Sequence, residues 1–129
     1  MQLAQVTLVV RDYDEAIAFY VDAVGFDLAE DVDLGGGTRW VVVRPPGGAA
    51  GLLLAQAGDD AQRARIGDQT GGRVGFFLHT DDFATTHARM QGAGVHFLEE
   101  PRFEPYGTVA VFEDLYGNKW DLIQPADPS

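Results

Sequence analysis

One order of elements runs through this chain twice, and that repeat constrains the fold more than any other feature. Residues 3–10 are almost continuously apolar, with Val6, Leu8 and Val10 alternating against Gln5, Thr7 and Val9, the period of a strand covered on one face. Asp12 and Glu15 form a capping-box-like start whose side chains can satisfy free backbone N–H groups, so a helix is expected from near Tyr13. Ala16, Ile17, Phe19, Tyr20, Ala23 and Val24 then share one helical stripe, and Gly25 suits a left-handed cap. Residues 26–30, 38–44 and 51–56 read as three further strands, separated by Gly35-Gly36-Gly37 and Pro45-Pro46-Gly47-Gly48. The first half is therefore expected to be βαβββ.

The second half repeats it. Residues 73–80 form an apolar strand, Asp82 a second cap, and residues 83–91 a second helix with Phe83, Thr86, His87 and Met90 at helical spacing; Gly92 and Gly94 end it. Residues 95–99, 108–113 and 119–124 supply three more strands, broken by Glu104-Pro105-Tyr106-Gly107 and Tyr116-Gly117-Asn118. Asp12 superimposes on Asp82, Tyr13 on Phe83, Tyr20 on Met90 and Ala23 on Ala93. The expectation is a single domain over residues 1–129, made of modules at about 3–56 and 73–124. The polar, glycine-rich stretch 57–72 is a linker or a flap over a cleft, with a short helix at 59–66.

Composition narrows the partners. The net charge of -11 repels nucleic-acid phosphates and anionic lipid alike, so neither nucleic acid nor membrane is an expected partner. Solubility and attraction of a cationic ligand both account for that charge. With no cysteine, thiolate metal sites, disulfides and cysteine nucleophiles are excluded. The only serine is Ser129, and no threonine stands in a nucleophile arrangement with histidine and carboxylate. No apolar run approaches the roughly 20 residues needed to span a bilayer, and a cytoplasmic location is the default expectation.

Two motifs carry a family resemblance. The opening Gln5-Val6-Thr7-Leu8-Val9-Val10-Arg11-Asp12, with Ala18-Phe19-Tyr20 and Val24-Gly25-Phe26, is similar to the start of vicinal-oxygen-chelate proteins, the group of glyoxalase I, bleomycin-resistance proteins and extradiol dioxygenases. The closing Phe112-Glu113-Asp114-Leu115-Tyr116-Gly117-Asn118-Lys119-Trp120-Asp121-Leu122-Ile123 resembles that group's last strand-turn-strand. The resemblance implies an α+β fold in which tandem βαβββ modules curl into an open, cup-shaped β-barrel with the helices outside. It also implies a small-molecule ligand in the cup and, commonly, a homodimer.

The group's enzymes hold a divalent metal through one ligand from the first and one from the last strand of each module. By that resemblance the four positions here are Gln5, Leu53, Gly75 and Asp121, with a one-residue margin at Leu53. Leu53 and Gly75 have no donor, and Gln5 plus Asp121 make a poor cage for Mg²⁺ or Zn²⁺. No cofactor is therefore expected, a divalent metal on Gln5 and Asp121 being the alternative. His79 shares the strand face of Gly75 and Phe77 but is displaced along it. His87 and His96 are expected to be structural or at the surface.

Ligand pockets are usually apolar and aromatic with a few placed polar groups. Trp40, Phe77, Tyr106, Tyr116 and Trp120 are candidate rings, and Gln5, Arg39, His79, Glu113 and Asp121 candidate orienting groups. Gln5, Trp40, Phe77, His79, Tyr106 and Asp121 are the expected ligand-binding set. Alternation puts Trp120 and Asp121 on opposite faces, with Asp121 inward and Trp120 under the helix layer. Three functions remain open: a metal-independent binder resembling bleomycin-resistance proteins, a metal-dependent glyoxalase-type lyase, isomerase or dioxygenase, and a protein-interaction module.

Overall fold

A computed structural model describes residues 1–127, so Ser129 lies outside the described residues. The chain divides into two compact units, Met1–Gln69 and the part from Thr70 onward. Most of the stretch expected as a linker thus belongs to the first unit.

In the first unit, β1 (Gln5–Val10) leads to α1 (Tyr13–Ile17), continued by a π-helical turn over Ala18–Val24. Asp12 caps the helix, its Oδ2 accepting from the Glu15 N–H at 2.9 Å, while Arg11 forks onto the Glu15 carboxylate at 2.8 Å. The helix ends where Gly25 enters the left-handed region at φ 104° and donates to the Tyr20 carbonyl. Strands β2 (Asp27–Gly35), β3 (Thr38–Arg44) and β4 (Gly51–Gln56) complete a sheet of order β1-β4-β3-β2, with β1 and β4 parallel.

The β2 strand runs well past the expected 26–30. Its hairpin with β3 turns only at Gly35, Gly36 and Gly37, all at positive φ, so the ladder zips up to that turn. Leu8, Val10, Ala16, Tyr20, Val41, Val43 and Leu54 are buried. A short helix, α2 (Asp60–Arg63), is capped by Asp59. Beyond it, the Gln69 side chain behaves as a substitute strand: its Nε2 donates to the Thr7 carbonyl at 2.8 Å and its Oε1 accepts from the Val9 N–H at 3.2 Å.

The second unit contains β5 (Val74–His79), α3 (Phe83–Gly92), β6 (His96–Phe97), β7 (Arg102–Glu104), β8 (Gly107–Glu113) and β9 (Lys119–Pro125). Its sheet order, β5-β9-β8-β6 with β5 and β9 parallel, repeats that of the first unit, and β7 also pairs with β8. The fold is thus the expected mixed α+β arrangement of tandem units. One element differs: the strand expected at 95–99 shrinks to two residues, and Arg102–Glu104 forms an additional strand. Both pair with different stretches of β8.

The closing motif owes its shape to a buried polar turn. Asp114 accepts from the Tyr116 and Asn118 N–H groups and from Asn118 Nδ2, each at 2.9 Å. Gly117 supplies the positive φ. With Asp114 and Asn118 both buried, these residues shape the hairpin that delivers β9 and its Asp121.

Candidate functional site

In the second unit, the β9 ladder places Asp121 beside Phe77 of β5 on one side and Val111 of β8 on the other. In-register neighbours share a face, so these three side chains stand together. Phe77 is 62% exposed, a large apolar ring left uncovered. Alternation sends Trp120 to the opposite face, where it is buried and stacked between Phe76, at 4.8 Å, and Phe112, at 5.8 Å. Trp120 therefore belongs to the core.

Asp121 is half-buried, and its Oδ1 is shielded without a hydrogen-bond partner among the described residues. Burial pushes its carboxyl above the ordinary carboxylate value, the positive charge of Arg102 pulls it back, and Glu99 adds to the rise. Arg102 is itself committed: Nε donates to Glu99 at 2.7 Å and a terminal nitrogen to Glu104 at 2.8 Å. These carboxylates, with the Tyr106 side chain, hold the guanidinium firmly charged. The second Glu99 oxygen accepts from the Val111 N–H at 2.9 Å, fixing the cluster to β8.

The result is a charged group with one unsatisfied carboxylate oxygen, with the exposed ring of Phe77 beside Asp121 and that of Tyr106 on Arg102. Beside it lies a cavity of about 320 Å³ lined by Val74, Leu98, Glu99, Val111 and Lys119, within the size range of small-ligand pockets.

The expected ligand-binding residues fall into separate places. Phe77 and Asp121 are adjacent, Tyr106 joins them through Arg102, and His79 lies exposed two residues along β5 from Phe77. Gln5 and Trp40 belong to the first unit, on strands separated by β4. Trp40 is partly exposed and donates through Nε1 to Glu30 at 2.9 Å. Arg39 is consumed by Asp31 and Asp14 and lies over the Tyr13 ring, and Glu113 bonds the exposed His96. Sequence reasoning missed Glu99, Arg102 and Glu104. The signal was present in the Arg102-x-Glu104 alternation, which puts both side chains on one face once the segment is a strand.

The donor set does not fit a divalent metal. At the implied positions, Leu53 and Gly75 have no side-chain donor, and a Cβ at Gly75 would displace the Thr70 side chain, whose Cγ2 stands 2.3 Å from it and whose hydroxyl donates to the Arg73 carbonyl. Gln5 and Asp121 remain, one amide and one carboxylate, too few for firm ligation. Among the described residues, no three His, Asp or Glu side chains are grouped to hold an ion.

Known proteins resemble this chain over nearly its whole length. A protein of Shewanella frigidimarina (strain NCIMB 400), described as uncharacterized, is 54% identical over 97% of this chain and 94% of its own length. The crystal structure of UcmS2 is 32% identical with a TM-score of 0.82, covering 95% of this chain and 97% of that one. TnmS3, an antibiotic binding protein from Streptomyces sp. CB03234, is 33% identical with a TM-score of 0.78, covering 98% and 97%. The model of the Glyoxalase/Bleomycin resistance protein/Dioxygenase superfamily matches residues 2–122, and the chain belongs to that superfamily.

Proposed function

We propose that the protein is a metal-independent small-molecule-binding protein, related in role to the antibiotic-binding members of its superfamily, and that its ligand is a planar aromatic cation. The observation that carries this reading is the shielded, unpartnered Oδ1 of Asp121 beside the exposed ring of Phe77. A shielded carboxylate oxygen without a donor is unfavourable, and a cationic N–H from a ligand relieves it. Phe77 and Tyr106 offer rings on which such a ligand stacks. The likeness to TnmS3 supports ligand binding as the role, and the poor donor set supports its independence of metal. We further propose that the two units act as one ligand-binding domain, that the protein is a homodimer, and that it works in the cytoplasm.

The test is calorimetric titration with proflavine, a planar cationic aromatic, alongside elemental analysis of protein purified without a histidine tag. Saturable binding to metal-free protein is expected. Asp121→Asn weakens it about tenfold or more, the loss of one charge-assisted hydrogen bond. Near-stoichiometric metal whose retention depends on Asp121 would overturn the proposal in favour of a glyoxalase-type enzyme.

A further inference from the structure

The helix-side face of the second unit holds a separate cavity of about 440 Å³. Phe83, Ala84 and His87 of α3 line it, with Phe103 of β7, Thr108 of β8 and Gln124 of β9. Thr108 pairs with both Phe103 and Gln124 in the ladder. Gln124 is three residues from Asp121, so alternation puts this cavity on the opposite face from Phe77 and Asp121.

Two features separate it from an ordinary surface groove. The first is His87. Its ring stacks on Phe83 at 5.3 Å and tilts against Phe97 at 4.3 Å, yet its Nε2 is shielded from solvent with no hydrogen-bond partner among the described residues. A desolvated ring nitrogen without a partner is an unfavourable arrangement that a ligand can relieve. The second is Phe103, a residue 85% exposed at the cavity wall although phenylalanine is usually buried.

The remaining walls are largely apolar. Gln124 already spends its Oε1 on the Phe83 N–H at 2.7 Å, which ties α3 to β9 and fixes one side of the cavity. The volume suits a one- or two-ring compound and is small for a protein segment.

We infer that this cavity is a second small-molecule site, independent of the one on the Asp121 face, and that it takes a compact neutral phenol. The aromatic body lies against Phe83 and Phe103, and its hydroxyl meets His87 Nε2 after a small rotation of the imidazole. A hydroxyl is the fitting polar group because it both donates and accepts, so it satisfies either neutral tautomer of the ring.

The experiment titrates ¹³C-labelled protein with 2-naphthol and with naphthalene, following the ring signals of His87, Phe83 and Phe103. Saturable shifts at those rings are expected, with 2-naphthol bound about tenfold more tightly than naphthalene, the worth of one buried hydrogen bond. His87→Phe keeps an aromatic ring and abolishes that preference. Phe103→Ala, at an exposed position that leaves the core intact, weakens both compounds several-fold, and Asp121→Asn changes neither. Equal binding of the two compounds to the wild type, an undiminished preference in His87→Phe, or shifts confined to Phe77 and its neighbours would each overturn the inference. So would Phe103→Ala converting a dimer of the chain to a monomer in sedimentation, since that ring would then be covered by a second copy and not by a small molecule.

Discussion

Leu53 in the first unit and Asp121 in the second occupy the same place in the repeat. Leu53 pairs with Thr7 on β1 and Val42 on β3; Asp121 pairs with Phe77 on β5 and Val111 on β8. One residue further on, Leu54 and Leu122 are also equivalent, and both are fully buried. The two units therefore share a helix-side core while differing on the other face of the sheet. Aliphatic packing under a helix is needed wherever the fold is built. A half-buried carboxylate is not, and that contrast is the ground on which we propose a recognition role for Asp121.

The largest expected effects test the shared core. Truncating either leucine to alanine removes buried methyls and leaves a cavity, at a cost of about 2–5 kcal/mol. Leu54→Ala is expected to cost more than Leu122→Ala. The reason lies in the neighbouring strand: Leu54 packs beside Leu8, which is fully buried, whereas Leu122 stands beside the half-buried Leu78. Urea unfolding of the two variants reads the difference. An equal or larger loss for Leu122→Ala would mean that the two cores are not graded in this way.

Exchanging the residues that differ tests the contrast itself. Leu53→Asp places a half-buried carboxylate beside Thr7 and Val42, in-register neighbours that carry no charge, and a loss of about 1–3 kcal/mol is expected. Asp121→Leu is expected to stabilise the protein while removing proflavine binding. Its pH dependence follows from the raised carboxyl of Asp121. The folded state holds that proton more tightly than the unfolded chain, so the stability this group contributes is present at low pH. It is lost as pH rises from the ordinary value of 3.8 through the raised folded value. The advantage of Asp121→Leu over the wild type should therefore be largest at neutral pH and shrink towards pH 3.8. Thermal unfolding at both pH values checks this, and an advantage that grows on acidification would contradict it.

How far such contrasts are legible without coordinates depends on their range. The cap residues Asp12 and Asp82, the stop at Gly25 and the alternation that buries Trp120 act within a few residues, so periodicity and turn chemistry reveal them. The two short strands within 95–104 draw their hydrogen bonds from β8, and neither has enough residues to display a period, so the sequence alone predicts one longer strand at 95–99. The Glu99–Arg102–Glu104 cluster is hidden for the same reason, since its side chains converge only once β7 exists. The role of Gln69 on β1 joins residues sixty or more positions apart and leaves no local trace.

The smallest expected effect concerns the cap of α3. Asp82 accepts from both the hydroxyl and the N–H of Thr85, at 2.7 and 3.2 Å. The side-chain bond from Thr85 is the larger cause holding its carboxyl below the ordinary value, with the backbone bond second. A depressed folded value means that the stability is present above the unfolded pKa of 3.8 and is lost as pH falls through the folded one. Asp82→Ala should thus lower the melting temperature by a few degrees at neutral pH, and the gap from the wild type should close on acidification. The opposite trend predicted for Asp121→Leu distinguishes the two carboxylates within one unit: one is stabilised as an anion by the helix it starts, the other is held in its charged form at a cost. A melting temperature for Asp82→Ala that stays equally depressed in acid would show that the cap acts through packing of Thr85 and not through the ionised carboxylate.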